Sequence, residues 1–358
     1  MSICWGPTLI RKDDGYSIVF QELYKRVKHL DVLLAEDYID EPGSTVEMDL
    51  VIGNEGGFLF SKAPPKENIL INFYLPQVDR IETNYLVAFV FWETSRLPPD
   101  WVDVLNQCNE VWTCSAWARN VFIESGVRKP VYNFDLGFNS EDFPIKTNFQ
   151  RGSKPFTFLN IGGNSHRKNN QLVVDAFLKL FEDNMDYQLI LKTTGAPASR
   201  WTNKNGEYIG GFYGHPQIKI IDSYLNESEM SDLYKNSDCF LYPTSGEGWG
   251  MSPFNAIASG IPTICTNATA CTEFAYLSYP LDSEYVKSTY PGVFENGEIA
   301  MPSFDDLCDK MMFIVNNHDE AIAKTNQGAK FLHENYSWDK VSEKYISRLK
   351  ELKAVYDN

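Results

Sequence analysis

LYPTSGEGWGMSPFNAIASGIPTICT, residues Leu241 to Thr266, opens with an apolar run ending in Tyr242-Pro243 and crosses a glycine-rich turn that holds Glu247. A helix starts at about Pro253, and a second apolar run begins at Pro262-Thr263-Ile264-Cys265. Strand, loop, helix, strand in that order is the repeating unit of a parallel α/β sheet, with its chemistry at the first turn. Gly246, Gly248 and Gly250 lack a β-carbon, so a ligand can come close to the main chain. The N–H groups opening the next helix form a pocket for anionic or polar oxygens. Glu247, set among these glycines, is placed to accept hydrogen bonds from hydroxyl groups.

The same alternation runs outward in both directions. Upstream, Phe156 to Ile161 reads as a buried strand, Gly162-Gly163 as its turn and Asn170 to Phe181 as an amphipathic helix with Leu172, Val173, Ala176, Phe177 and Leu180 on one face. Tyr187 to Leu191 is a strand ending in Lys192, residues 196–216 read as a loop, and Ile218 to Ile221 is the next strand. In the first half, Ile3 to Ile10 leads through Gly15 into a helix from Ser17 to Leu30. Strands follow at Val32 to Ala35, Asp49 to Ile52, Ile69 to Phe73 and Leu86 to Phe91, the last running into Trp92-Glu93-Thr94. Val111 to Ser115 and a helix from Ala116 to Ser125 complete that half. The polar run Ile145 to Pro155 is the best linker, and a final helix spans Trp338 to Tyr356.

Length and composition bound the possibilities. At 358 residues the chain has room for two domains with their own cores, and 43% apolar with 14% aromatic residues describes a globular protein. A net charge of -16 repels nucleic acid and anionic membrane, although one local basic patch would override it. Seven cysteines, none in C-x-x-C spacing and most inside apolar runs, read as reduced core residues of a cytoplasmic protein. The start of the chain shows no basic-then-apolar leader, and the longest apolar run, Tyr85 to Trp92, is too short to span a bilayer.

The glycine loop with Glu247 resembles the donor-sugar loop of retaining nucleotide-sugar glycosyltransferases of the GT-B fold, family-4 type. The run FWETSRLPPDWVDVLNQCNEVWTCSAWARNVFIESGV resembles the N-domain of one subgroup of that family in order and spacing. The resemblance covers residues 80 to 280 well and the ends weakly. It implies an α/β chain of two Rossmann-like domains facing each other across a cleft: residues 1–148 as the acceptor-side domain, 149–335 as the nucleotide-sugar-binding domain, and 336–358 as a C-terminal helix packing back on the first domain. It further implies a hexosyl- or pentosyltransferase that retains anomeric configuration and uses the nucleotide sugar as co-substrate, with no cofactor.

By that resemblance Glu247 holds sugar hydroxyls and Lys168 reaches the donor's pyrophosphate, while Gly248, Trp249, Gly250 and Met251 line the sugar and phosphate. The family's arginine after the first glycine is Gly163 here, following Gly162; Arg167 beside Lys168 is the substitute. A basic residue near a helix start is ordinarily only solvated, but the spacing of Lys168 from a Gly-Gly turn after a buried strand points to phosphate. Lys192, at a strand's carboxyl edge, is either a second phosphate cation or a surface lysine. Tyr224 and Leu225 stand where the family's main chain meets the base. The family's second glutamate is Asn255, which gives up the charged bidentate grip on ribose hydroxyls.

Gly15 sits where the family keeps a glycine loop near the reacting centre, and is otherwise an ordinary turn glycine. Glu93 ends an apolar strand, where it orients an acceptor hydroxyl, acts as a base, or serves as a capping or solvated acid. The aspartate doublets, Asp13-Asp14 and Asp305-Asp306, do not end a strand, so the expectation is no essential metal. The acceptor stays open among a glycan, a lipid-linked sugar, a small molecule and, against the net charge, hydroxymethylated DNA. Gly163 and Asn255 keep a further alternative: a protein that binds a nucleotide sugar or glycan without turnover.

Overall fold

The computed structural model describes residues 2–6, 15–30, 32–34, 68–76, 78, 83–147, 149, 155–163, 165–193, 215–290 and 292–356. The chain divides into two compact units. Unit 1 comprises Met1–Gly137, Ser288–Gly297 and Trp338–Asn358, and unit 2 comprises Phe138–Lys287 and Glu298–Ser337.

Unit 1 contains β1 (Ser2–Trp5), α1 (Gly15–Val27), β2 (Val32–Leu34), β3 (Asn68–Phe73), β4 (Tyr85–Phe89), α2 (Pro99–Leu105), β5 (Glu110–Thr113), α3 (Ala116–Ser125) and β6 (Val131–Asn133). Its strands pair in parallel in the order β2-β1-β3-β4-β5-β6. Such strands are covered on both faces, which explains why Leu86 to Phe89 and Val111 to Thr113 are buried throughout instead of alternating. Local sequence sets the element ends: Ser115 caps α3 by accepting from Ala118 N–H, and Gly126, at φ 110°, stops it in the left-handed region.

Unit 2 contains β7 (Phe156–Ile161), α4 (Asn170–Phe181), β8 (Tyr187–Lys192), β9 (Ile218–Ile221), α5 (Glu227–Lys235), β10 (Cys239–Tyr242), α6 (Met251–Ala258), β11 (Thr263–Thr266) and β12 (Tyr279–Leu281). An antiparallel hairpin follows, β13 (Ser283–Lys287) and β14 (Glu298–Pro302), then α7 (Phe304–Asn316) and α8 (His318–Asn335). The parallel sheet runs β12-β11-β10-β7-β8-β9. Its core joins Val173, Phe177 and Phe181 of α4 to Phe158, Leu189, Leu241 and Ile264 of the strands and to Leu307 and Met311 of α7. The last helix, α9 (Trp338–Tyr356), belongs to unit 1, where the Tyr345 hydroxyl donates to Phe134 C=O at 2.9 Å.

Several expectations fall outside the described residues: the extension of the first strand to residue 10, a strand at 49–52, most of the loop 196–216 and the doublet Asp13-Asp14. The expected boundary after residue 148 also falls there, at 148 and 150–154. Residues 138–147 count with unit 2, where Lys146 donates to Ser237 C=O at 2.7 Å and pairs with buried Asp238 at 3.5 Å. Helix α6 starts at Met251, not Pro253; a proline in the first turn removes an N–H that has no helical partner. All seven cysteines are free and buried. Among the described residues no helix is long and apolar enough to cross a membrane.

Candidate functional site

In unit 2 the chain leaves β7 toward β8 on one side and reaches β10 on the other. The turns after β7 and β10 therefore open at the same carboxyl edge of adjacent strands, where the direction of winding reverses and open α/β sheets bind ligands. After β7 come Gly162, Gly163 and a 3₁₀ turn at His166–Lys168. Asn169, at φ 51°, then redirects the chain into α4. Its amide donates to Pro243 C=O at 2.7 Å and to Ser245 Oγ at 2.8 Å, and Ser245 N–H donates to Arg167 C=O at 2.8 Å. These bonds stitch the two turns together.

Glu247 is the centre of the arrangement. It is 6% exposed, and its Oε1 accepts from Lys168 Nζ at 2.6 Å, Arg167 Nη1 at 2.9 Å, Thr244 Oγ1 at 2.9 Å and Tyr242 OH at 3.0 Å. Oε2 makes no hydrogen bond among the described residues. Burial raises the carboxyl pKa, but Lys168 and then Arg167 override it and bring it down to about 2. Lys168 also donates to Tyr242 OH at 2.7 Å. Burial first, and Glu247 second, push the Tyr242 phenol well above its ordinary pKa, so it stays a neutral donor. The Glu247 N–H donates to Thr269 Oγ1 at 2.9 Å, which fixes the loop from the opposite side. Arg167 also donates to Gly246 C=O.

Gly250 precedes α6 at φ 97°, and a β-carbon there would lie 3.0 Å from Cys271 Sγ and 3.3 Å from Phe274 Cζ. Gly248 and Trp249 are buried, the Trp249 ring lying against Phe254 and Phe274. The Trp249 indole N–H is buried without a partner among the described residues. Met251 opens α6 half-buried, and half-buried Asn255 lies one turn further on, its side chain forming no hydrogen bond among the described residues. Lys192 is buried at the end of β8 and donates to Thr193 C=O at 3.1 Å, while Gly162 N–H donates to Lys192 C=O at 3.0 Å.

The structure thus gathers Lys168, Arg167 and Glu247 into one cluster, with Gly162, Gly163, Lys192, Gly250 and Met251 on the elements that hold it. Exposed Tyr224 and half-buried Leu225 lie between β9 and α5, two strands from β7. Glu93 and Gly15 belong to unit 1. Glu93 is half-buried past the end of β4. Gly15 opens α1 exposed, with nothing among the described residues within 4 Å of an added β-carbon. Sequence reasoning missed Tyr242, Thr244, Asn169 and Thr269 as members of the cluster. A tyrosine closing a buried strand and a threonine three residues before the acid were the available signals. Among the described residues no group of three His, Cys, Asp or Glu side chains could hold a metal.

Residues 114–344 match the family described as Family 4 Glycosyltransferase in conflict systems. The chain is 19% identical over 309 residues to uncharacterized protein 356 of Sulfolobus islandicus rod-shaped virus 1, covering 80% of this chain and 81% of that protein. It is 20% identical over 295 residues to putative glycosyltransferase 45 of Sulfolobus islandicus filamentous virus (isolate Iceland/Hveragerdi), covering 80% and 76%. Among solved structures, sucrose-phosphate synthase from Thermosynechococcus elongatus superposes with a TM-score of 0.61 at 12% identity, over 80% of this chain and 74% of that one. The fold is GT-B, as the loop around Glu247 implies.

Proposed function

The chain belongs to the family-4 glycosyltransferases in conflict systems, and from that premise we propose that it moves a sugar from a nucleotide-sugar donor held by unit 2 to a hydroxyl acceptor held by unit 1, with retention of anomeric configuration and without a metal. One observation carries the donor assignment: the Glu247 carboxylate, ionised and fixed through Oε1 by two cations and two hydroxyls, keeps Oε2 for a ligand. Oε2 then accepts hydrogen bonds from sugar hydroxyls.

Cleaving the bond between the anomeric carbon and the phosphate leaves charge on a diphosphate oxygen. Lys168 and Arg167 stand next to Glu247 and, with the N–H groups opening α6, meet that charge. Lys192, Gly162 and Gly163 line the same edge, and Asn255 takes the place of a charged ribose acceptor. Glu93 of unit 1 orients the acceptor hydroxyl. The free, buried cysteines suit a reducing compartment, in keeping with a cytoplasmic protein.

A panel of nucleotide sugars, assayed for release of free nucleotide with and without sugar, glycan, lipid-linked and hydroxymethylated-DNA acceptors, tests the proposal. Release from one donor that disappears in Lys168→Ala and in Glu247→Ala is the expected result. Saturable binding of a nucleotide sugar with no release under any condition would instead mark a binding protein.

A further inference from the structure

In unit 1 the winding reverses between β1 and β3, since β2 lies on the far side of β1. Tyr16 stands in the first turn of α1 after β1, Tyr74 directly follows β3, and Phe91 and Glu93 follow β4. Three adjacent strand ends thus bring three aromatic rings and one carboxylate to the sheet's own switch point. Tyr16 stacks on Phe91 with ring centroids 4.2 Å apart, and Tyr74 meets Tyr16 edge-on at 5.6 Å and Trp101 at 5.7 Å.

The Tyr16 hydroxyl accepts from Phe91 N–H at 2.8 Å and donates to no acceptor among the described residues. Both phenols are held neutral, by burial first; the nearby Glu93 carboxylate also raises each pKa. Tyr74 has φ 88°, a left-handed backbone that glycine adopts without strain and a large side chain adopts only at a cost. The ring is therefore kept at this edge against the preference of its own backbone.

We propose, building on the assignment of unit 1 to the acceptor, that this edge takes a neutral sugar ring as acceptor, with Tyr16 and Tyr74 facing its C–H groups and hydroxyls and Glu93 accepting from the hydroxyl that reacts. Aromatic surface with a few convergent polar groups suits a pyranose, which carries C–H faces and a rim of hydroxyls. An anionic acceptor such as DNA meets the Glu93 carboxylate and a chain of net charge -16.

Saturation-transfer NMR with methyl gluco-, galacto- and mannopyranosides, on the whole chain without nucleotide, tests this. At least one hexoside should bind saturably, and Tyr74→Ala and Tyr16→Phe should each weaken it, the former by about tenfold. Met185→Ala, at an exposed position of unit 2 away from both sites, should leave hexoside binding unchanged, and thermal unfolding shows which variants are folded; should Tyr74→Ala fail to fold, Tyr16→Phe still gives the answer. The inference falls if no hexoside binds, if binding ignores both tyrosines, or if a hydroxymethylcytosine oligonucleotide binds at this edge with steep salt dependence instead. Nucleotide-sugar turnover without hexoside binding would remove this inference alone, and hexoside binding that follows the tyrosines without turnover would remove the donor reading alone.

Discussion

Lys168 Nζ stands 2.6 Å from Glu247 Oε1, on turns that leave adjacent strands at one edge of the sheet. Both side chains are mostly buried, at 16% and 8% exposed, so breaking the pair leaves an acid with less compensation than it was built with. Lys168→Met should cost about 2 kcal/mol in urea unfolding, less than the ~3–5 kcal/mol of a buried pair with no other partner, because Arg167, Tyr242 and Thr244 still hold the carboxylate. Glu247→Gln added to Lys168→Met should cost less than the two single changes together. Additive losses would mean that the pair is not coupled. Sugar transfer should drop by roughly a hundredfold or more in either single variant.

The ionised state of Glu247 makes stability depend on pH. Its carboxyl pKa lies at about 2 against an ordinary 4.5. A depressed folded pKa stabilises the fold fully above the unfolded value and loses that contribution as pH falls from about 4.5 through about 2. The difference corresponds to about 3 kcal/mol. Urea midpoints measured across that window should fall more steeply for the natural chain than for Glu247→Gln. Parallel profiles would place the sensitivity on other carboxylates.

Much of this cluster is legible in the sequence because its parts lie in local patterns. A buried strand followed by Gly162-Gly163, and another followed by Gly246 to Gly250, mark two strand-end turns by composition and spacing alone. What sequence does not show is the strand order. Only the adjacency of β7 and β10 brings Lys168 to Glu247, across 79 positions of chain. Tyr242 and Thr244 escape notice for a related reason: one closes a buried strand and the other sits in a tight turn, and both look like packing residues until the carboxylate is placed. The hairpin β13–β14 is not evident from pattern either. Residues 283–287 are half-buried or exposed, so their pattern lacks the apolar period that marks a strand.

Gly250 of the donor loop and Gly15 of unit 1 should respond oppositely to a methyl group. Gly250, at φ 97°, offers a β-carbon only 3.0 Å from Cys271 Sγ, so Gly250→Ala should lose about 1–3 kcal/mol and weaken nucleotide-sugar binding. At Gly15 a β-carbon meets nothing within 4 Å among the described residues, and Gly15→Ala should be neutral or stabilising by up to about 1 kcal/mol. Transfer lost in Gly15→Ala with stability intact would mean that a ligand, not the protein, requires the glycine. Unchanged transfer would leave Gly15 as a turn residue.

The return of α9 to unit 1 rests on a second buried acid. Glu110 is 0% exposed; its Oε1 accepts from Trp112 Nε1 at 2.7 Å and from Arg348 Nε at 3.3 Å, and its Oε2 from Arg348 Nη2 at 2.5 Å and Tyr85 OH at 3.1 Å. The Arg348 guanidinium also lies 4.7 Å over the Tyr132 ring. Arg348→Met removes the only cation paired with Glu110 among the described residues and should cost about 3 kcal/mol. Arg348→Lys should recover only part of it, since an ammonium cannot span both carboxylate oxygens in the same plane or stack on the ring as a guanidinium does. Adding Glu110→Gln to Arg348→Met should restore stability, because a neutral amide no longer demands a counter-charge. These costs should appear in chemical unfolding while nucleotide-sugar binding to unit 2 stays as it was. A parallel loss of donor binding in the folded Arg348 variants would show that the helix acts on the site as well as on its own unit.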